Sequence, residues 1–315
     1  MIKEEYGKII KGLGGLYSTR VQTDTGAQTY VCRAKGALHR DEEKVLVGDN
    51  VKITIDEDTP DGIVISEILP RKNSLIRPPM ANLDYLFIVL ASKKPTPALD
   101  VVDKLISISI HNKIIPVVVI SKSDLCADAA VEYYEIYKSA GIEAFITSSS
   151  SGEGTSELKE YLEGCVTYGK TAAFAGASGV GKSTLMNAIF PDLKLATSDI
   201  SKKIERGRHT TRHVEIFEIQ GGEKNTGYLA DTPGFSLVDF ARFDFFALED
   251  LKATFPDIFP HADGCKYQDC SHVGEGIEEC AVARAMSEGK IPPSRLESYR
   301  AIYRVLKEKE RNEYK

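Results

Sequence analysis

The sequence predicts a multidomain chain: a small β-barrel, an α/β domain built on a parallel sheet, and an α-rich segment at the end. Three observations predict it. Short β-like runs broken by turn residues extend to about Arg77, strands and helices alternate from Tyr85, and past Phe235 the β signal stops and cysteines cluster around a histidine. The three parts divide at 1–77, 78–240 and 241–315.

A length of 315 residues accommodates two or three domains. The 42% hydrophobic and 27% charged content is that of a soluble globular chain. The longest apolar runs, Tyr85 to Ala91 and Ile114 to Ile120, are too short to cross a bilayer. Glu4 and Glu5 stand where a signal peptide would be basic and then apolar, so the expected location is cytoplasmic, away from membranes. A net charge of −6 opposes nucleic-acid binding over the whole surface. Locally the balance reverses: Lys202, Lys203, Arg206, Arg208 and Arg212 face one acid, Glu205, and such patches steer toward phosphate.

In the first part, Gly7 to Ile10, Gln28 to Cys32 and Val51 to Ile55 read as strands, punctuated by Gly14-Gly15, Gly26, Gly48-Asp49 and Pro60-Asp61-Gly62. About 70 residues of this kind suit a five-stranded OB-like barrel, and the pattern fits an SH3-like barrel equally. Arg77-Pro78-Pro79 reads as a linker. The second part gives strands at Tyr85 to Ala91, Ile114 to Ile120, Ile142 to Thr147 and Thr171 to Ala175. Between them, Ala98 to Asn112, Val131 to Ser139 and Ser156 to Leu162 have helical spacing, and this alternation implies a parallel sheet. Further strands are expected at Val214 to Ile219 and Tyr228 to Ala230, and helices at Phe245 to Phe255 and Ser294 to Glu313.

The strongest motif is Gly176-Ala177-Ser178-Gly179-Val180-Gly181-Lys182-Ser183, followed by Thr184. It fits the phosphate-loop pattern in full, after a strand and before a helix. Its glycines let backbone N–H groups turn toward phosphates, Lys182 reaches the β- and γ-phosphates, and Ser183 ligates Mg²⁺. Asp231-Thr232-Pro233-Gly234 ends a strand downstream; Asp231 is placed to hold Mg²⁺ through water, and Gly234 to offer its N–H to the γ-phosphate.

Ser121-Lys122-Ser123-Asp124, directly after a strand, matches the base-reading pattern of guanine-nucleotide enzymes. A carboxylate such as that of Asp124 accepts from guanine N1–H and its 2-amino group, a donor pair that adenine lacks. Ser148-Ser149, after the next strand, sits where a backbone N–H supports guanine O6. The base-reading strands therefore precede the phosphate-reading ones, a permuted order that a fold with neighbouring termini tolerates. Cys265, Cys270, His272 and Cys280 match a closed tetrahedral Zn²⁺ site of structural type.

This motif order, between a small β-domain and a Cys/His cluster, resembles the circularly permuted small-ribosomal-subunit-dependent GTPase A family over essentially the whole chain. Gly207-Arg208-His209-Thr210-Thr211-Arg212 resembles that family's first switch segment. The resemblance implies an OB-fold, a permuted GTPase domain and a zinc domain. It also implies GTP hydrolysis in late maturation of the small ribosomal subunit, stimulated by that subunit and accompanied by rRNA binding. The chain departs from the pattern at Ser121, where Asn or Thr is usual, and in a longer spacer before Cys280.

Phe235 occupies the position of a water-orienting Gln, so His209 is the candidate catalytic group beside Lys182, with Thr211 preferred to Thr210 as a further Mg²⁺ ligand. The alternative to catalysis for His209 is RNA contact in a basic loop. Arg295, Arg300, Arg304, Lys307, Lys309 and Arg311 on the last helix either touch RNA phosphates or belong to a solvated face with Glu297, Glu308 and Glu310. The expected partners are GTP and GDP, the small subunit and its rRNA, with the chain a monomer. The competing readings are a P-loop ATPase and a non-catalytic nucleotide-dependent RNA adaptor.

Overall fold

The structure, a computed structural model, describes residues 2–23, 26–35, 44–56, 58–59, 62–193, 214–220, 226–231 and 239–313. In chain order the strands are β1 (Ile2–Leu13), β2 (Leu16–Thr23), β3 (Gly26–Ala34), β4 (Asn50–Asp56), β5 (Ile63–Ile68), β6 (Ser74–Leu75), β7 (Met80–Ala81), β8 (Tyr85–Ala91), β9 (Ile115–Ser121), β10 (Glu143–Ile146), β11 (Thr171–Ala175), β12 (Glu215–Gln220) and β13 (Thr226–Asp231). The helices are α1 (Leu99–His111), α2 (Ala127–Ser139), α3 (Thr155–Cys165), α4 (Lys182–Ile189), α5 (Ala281–Ser287) and α6 (Pro293–Glu313). The chain forms two compact units. One is drawn from Met1–Tyr85, Glu160–Phe174 and Ser201–Phe235, the other from Leu86–Lys159, Ala175–Ile200 and Ser236–Lys315.

In the first unit, β1 pairs with β2, β2 with β3, β3 with β5, β5 with β4, and β4 with β1, so the five strands close into a ring. All pairings are antiparallel except β3 with β5, the arrangement of an OB-type barrel rather than an SH3-type one. Ile9, Val21, Cys32, Val51, Ile53 and Ile65 fill its interior. The same unit carries β12, which pairs antiparallel with both β1 and β13, while β11 and β13 run parallel. Beside the parallel pairings expected from the sequence, the sheet thus contains one antiparallel strand, β12, which also pairs with the barrel's β1. Lys11 donates to Glu215 at 2.8 Å and Arg20 to Glu218 at 2.5 Å across that junction. Half-exposed pairs of this kind each contribute under about 1 kcal/mol, beside a main-chain pairing in register at Lys11 and Glu215.

In the second unit β8, β9 and β10 lie side by side, and β9 and β10 are parallel. Leu86 to Ala91 and Val117 to Ile120 are buried throughout, as strands covered on both faces must be. The segment expected to be a helix over Phe245 to Phe255 is only a 3₁₀ stretch, Leu248–Thr254. Pro256 disfavours helical backbone at Phe255, and the Thr254 hydroxyl binds back to Leu251 O at 2.8 Å.

Among the described residues, Arg295 is the largest fully buried side chain. It donates to Asp103 of α1 at 2.6 Å and, through two nitrogens, to both carboxylate oxygens of Asp257 at 2.9 and 2.7 Å. Burial pulls the pKa of Arg295 down, but the two carboxylates raise it above the ordinary value; burial raises that of Asp103 against the pull of the guanidinium. This residue therefore belongs neither to an RNA-binding face nor to a solvated one. Among its companions, Arg300 donates to His272 O and Lys309 to Phe243 O and Asp244. Arg295→Met strands two buried carboxylates and should lower unfolding free energy by about 3–5 kcal/mol in a urea titration; a loss below about 1 kcal/mol would contradict the buried-pair account.

Candidate nucleotide site and metal centre

Residues 176–181 turn from the end of β11 into α4. Gly176 has φ +137°, and a Cβ there would collide with the carbonyl of Val89 in β8, so no other residue fits this close approach. Apolar side chains of Val89, Val102, Leu105 and Val180 line a cleft behind the loop. Lys182 folds its ammonium over the loop, donating to Gly176 O at 2.7 Å and Ala177 O at 3.0 Å.

The segment after β9 is joined to this loop. The Ser121 hydroxyl, nearly sealed from solvent, lies 2.7 Å from Val180 O and 3.0 Å from Leu90 O. Its single proton favours the shorter contact. Lys122 donates to Gly179 O at 2.6 Å and Lys94 O at 2.8 Å. Lys122 is itself in left-handed backbone, φ +58°, a conformation costing about 1–3 kcal/mol in a non-glycine residue. The bonds of its ammonium, and one from the Ser92 hydroxyl to its carbonyl at 2.6 Å, offset that strain. Ser121, at the position where Asn or Thr is usual in the family pattern, thus tethers the loop from within.

Asp124 is exposed and accepts from the Ser148 hydroxyl at 2.5 Å. That bond is the largest influence holding its carboxyl below the usual range, and a further one from Ser150 adds to it. The Ser148 N–H is engaged by Glu153 O at 3.0 Å, so Ser148 acts through its side chain, and Ser149 follows it half-buried. Ser178 and Gly179 are exposed at the loop's tip, Thr184 is exposed on α4, and Ser183 is partly exposed. Asp231 closes β13 in the first unit. His209, Thr210, Thr211, Gly234 and Phe235, with the rest of both proposed switch segments, lie outside the described residues. Sequence reading missed Ser92, Lys94 and Glu153, for which no motif gives a signal.

Cys265, Cys270, His272 and Cys280 bring four ligand atoms within 4.8 Å of one another. His272 Nδ1 lies 3.6 Å from Cys265 Sγ and 3.4 Å from Cys280 Sγ. A tetrahedral zinc with ordinary Zn–S and Zn–N bonds separates S and N by about 3.5 Å, so the set fits that ion. Burial pushes the Cys270 thiol up to about 12 and, with Lys252 nearby, lowers the pKa of the His272 imidazole. A metal binds the deprotonated thiolate and the neutral imidazole. Ala281 N–H and Ala283 N–H point at Cys265 and Cys280 sulfur, each at 3.3 Å. His272 takes φ +60°, with its carbonyl bound by Arg300 at 2.7 Å and its ring edge-on to Phe259. The long spacer folds on Glu275, whose carboxylate accepts from the N–H groups of Ser271, Val273 and Gly274 and from the Ser271 hydroxyl.

No helix among the described residues is long and apolar enough to cross a membrane. A model of the RsgA GTPase family matches residues 68–241, and one of the RsgA N-terminal domain matches residues 6–64. A protein of Agathobacter rectalis named small ribosomal subunit biogenesis GTPase RsgA is 40% identical over 314 residues, 97% of this chain and 99% of its own. One of the same name from Caldanaerobacter subterraneus subsp. tengcongensis is 39% identical over 310 residues, 98% of each chain. The crystal structure of YjeQ from Thermotoga maritima is similar with a TM-score of 0.76 at 31% identity, over 96% of this chain and 99% of that one. YloQ, described as a circularly permuted GTPase, gives a TM-score of 0.73 at 31% identity, over 98% and 96%. The segment bearing Asp124 precedes the phosphate loop in sequence and is bonded to it in space, an order in keeping with the circular permutation in the description of YloQ, and the chain belongs to the RsgA GTPase family.

Proposed function

We propose that this GTPase acts in biogenesis of the small ribosomal subunit, binding that subunit and its rRNA, with hydrolysis accelerated on the subunit. The observation that carries the reading is the pair of bonds from Ser121 and Lys122 to Val180 O and Gly179 O, which builds one nucleotide site from segments 57 and 59 residues apart. The names of the relatives support the biological setting.

In this reading the amides of residues 176–183 hold the phosphates and Lys182 leaves its loop carbonyls to reach the β- and γ-oxygens. Asp124, kept ionised and aimed by Ser148, accepts from guanine N1–H and the 2-amino group. Since the Ser148 N–H is taken, Ser149 supplies the donor for guanine O6. Ser183, Thr211 and Asp231 hold Mg²⁺, which when bound neutralises charge developing between the β- and γ-phosphates. His209 orients the attacking water through a neutral imidazole, the role Phe235 cannot take. The first switch segment, which carries Arg208 and Arg212, meets the subunit's phosphates, which couples docking to hydrolysis. The Cys/His cluster holds one structural Zn²⁺ and fixes the C-terminal domain.

Lys182→Ala should lower GTP turnover by about 100-fold or more in a phosphate-release assay, and an undiminished rate would refute the loop's role. Asp124→Asn should bind GTP about 100-fold more weakly and gain affinity for xanthosine triphosphate, whose base presents an acceptor in place of the 2-amino donor. Unchanged selectivity would place base reading elsewhere. Elemental analysis should find about one zinc per chain, and Cys280→Ser should lose it together with thermal stability; a metal-free chain that melts as the wild type does would remove the zinc assignment.

A further inference from the structure

Glu153 lies outside every nucleotide motif, in the turn that follows Ser148-Ser149. Its carboxylate accepts from the Ser123 hydroxyl at 2.8 Å, and Ser123 is the buried residue between Lys122 and Asp124. Its carbonyl accepts from the Ser148 N–H at 3.0 Å. Ser148 in turn donates its hydroxyl to Asp124 at 2.5 Å. These bonds close a circuit from Asp124 through Ser148 and Glu153 to Ser123 and back along the chain to Asp124. A second tie, Ser123 N–H to Thr147 O at 3.1 Å, keeps the two loops in register. The turn holding Glu153 is itself fixed. Gly152 N–H donates to Ser148 O at 2.8 Å, and Gly154 takes φ +66° where a Cβ would strike the Ile146 carbonyl.

A carboxylate on the surface has no reason to stay aimed. Left with one bond, Asp124 turns about its side-chain torsions in water and loses the fixed pair of acceptor directions that a purine with two adjacent donors demands. Glu153 removes that freedom at two points: it anchors the backbone before Asp124 through Ser123, and it anchors the residue that holds the Asp124 oxygen. We infer that Glu153 is a specificity-determining positioning residue, which sets the aim of Asp124 toward the 2-amino group of guanine through Ser123 and Ser148. The inference rests on the reading of Asp124 as the base-reading group.

The test measures GDP and inosine diphosphate affinities on the full chain, the two ligands differing only in the 2-amino group. Glu153→Ala should bind GDP about tenfold more weakly, with inosine diphosphate changed by less than about twofold. Glu153→Gln keeps an acceptor oxygen and should stay within about twofold of wild type for both. Ser123→Ala should match Glu153→Ala, and the double variant should lose no more than either alone, because both break one bond. Equal weakening of both ligands, multiplying losses in the double variant, or unaltered GDP binding in Glu153→Ala would each overturn the inference. Asp124→Asn, measured alongside with xanthosine diphosphate, separates the two levels. If it switches base preference while Glu153→Ala leaves the GDP-to-inosine ratio alone, only the role of Glu153 falls; if it switches nothing, the base-site reading falls as well.

Discussion

Two hydrogen bonds to carbonyl oxygens of the phosphate loop, from the Ser121 hydroxyl to Val180 O and from the Lys122 ammonium to Gly179 O, are what the rest of the site depends on. A phosphate loop turns its N–H groups inward to meet an anion, and its carbonyls must then point out and find donors elsewhere. Here the donors come from the strand end that carries Asp124. The phosphate-loop motif and the segment proposed to read the base are therefore held together by the chain itself. The permuted order costs nothing in geometry, because the constraint acts between two loops and is indifferent to which is made first.

The other two parts of the chain are tied in by different means. The barrel shares a strand edge with β12, so the strand that follows the basic switch segment is paired to β1 as well as to β13. At the other end, α6 is held by Arg295 between Asp103 and Asp257, with Arg300 reaching the His272 carbonyl. The cationic side chains of that helix are thus spent partly on architecture, which reduces what it offers to phosphate.

Much of this was legible in the sequence because the relevant signals are local. The strands Tyr85–Ala91 and Thr171–Ala175 are continuous apolar runs, the phosphate loop needs glycine where Gly176 approaches Val89, and three cysteines with one histidine in a short span announce a metal. What stayed hidden depends on contacts distant in sequence. Composition marks Arg295 as one more surface cation, and only the fold shows Asp103, 192 positions away, waiting for it. Glu153 is an ordinary loop acid until Ser123, 30 positions earlier, is brought beside it. The strand expected at Val214 to Ile219 is β12, and its antiparallel direction was not legible because a strand's apolar pattern records burial and not direction. The reach of the Phe245 to Phe255 helix was overestimated because apolar periodicity outweighed the veto of Pro256.

The measurement that bears most directly on a single guanine site assembled from permuted segments is multiple-turnover hydrolysis of GTP beside ATP, each with and without purified small ribosomal subunits. The account predicts slow release of phosphate from GTP alone, a marked rise when subunits are added, and no turnover of ATP in either condition. Comparable hydrolysis of ATP would contradict base reading by Asp124, and a GTP rate indifferent to subunits would contradict the coupling of hydrolysis to that partner.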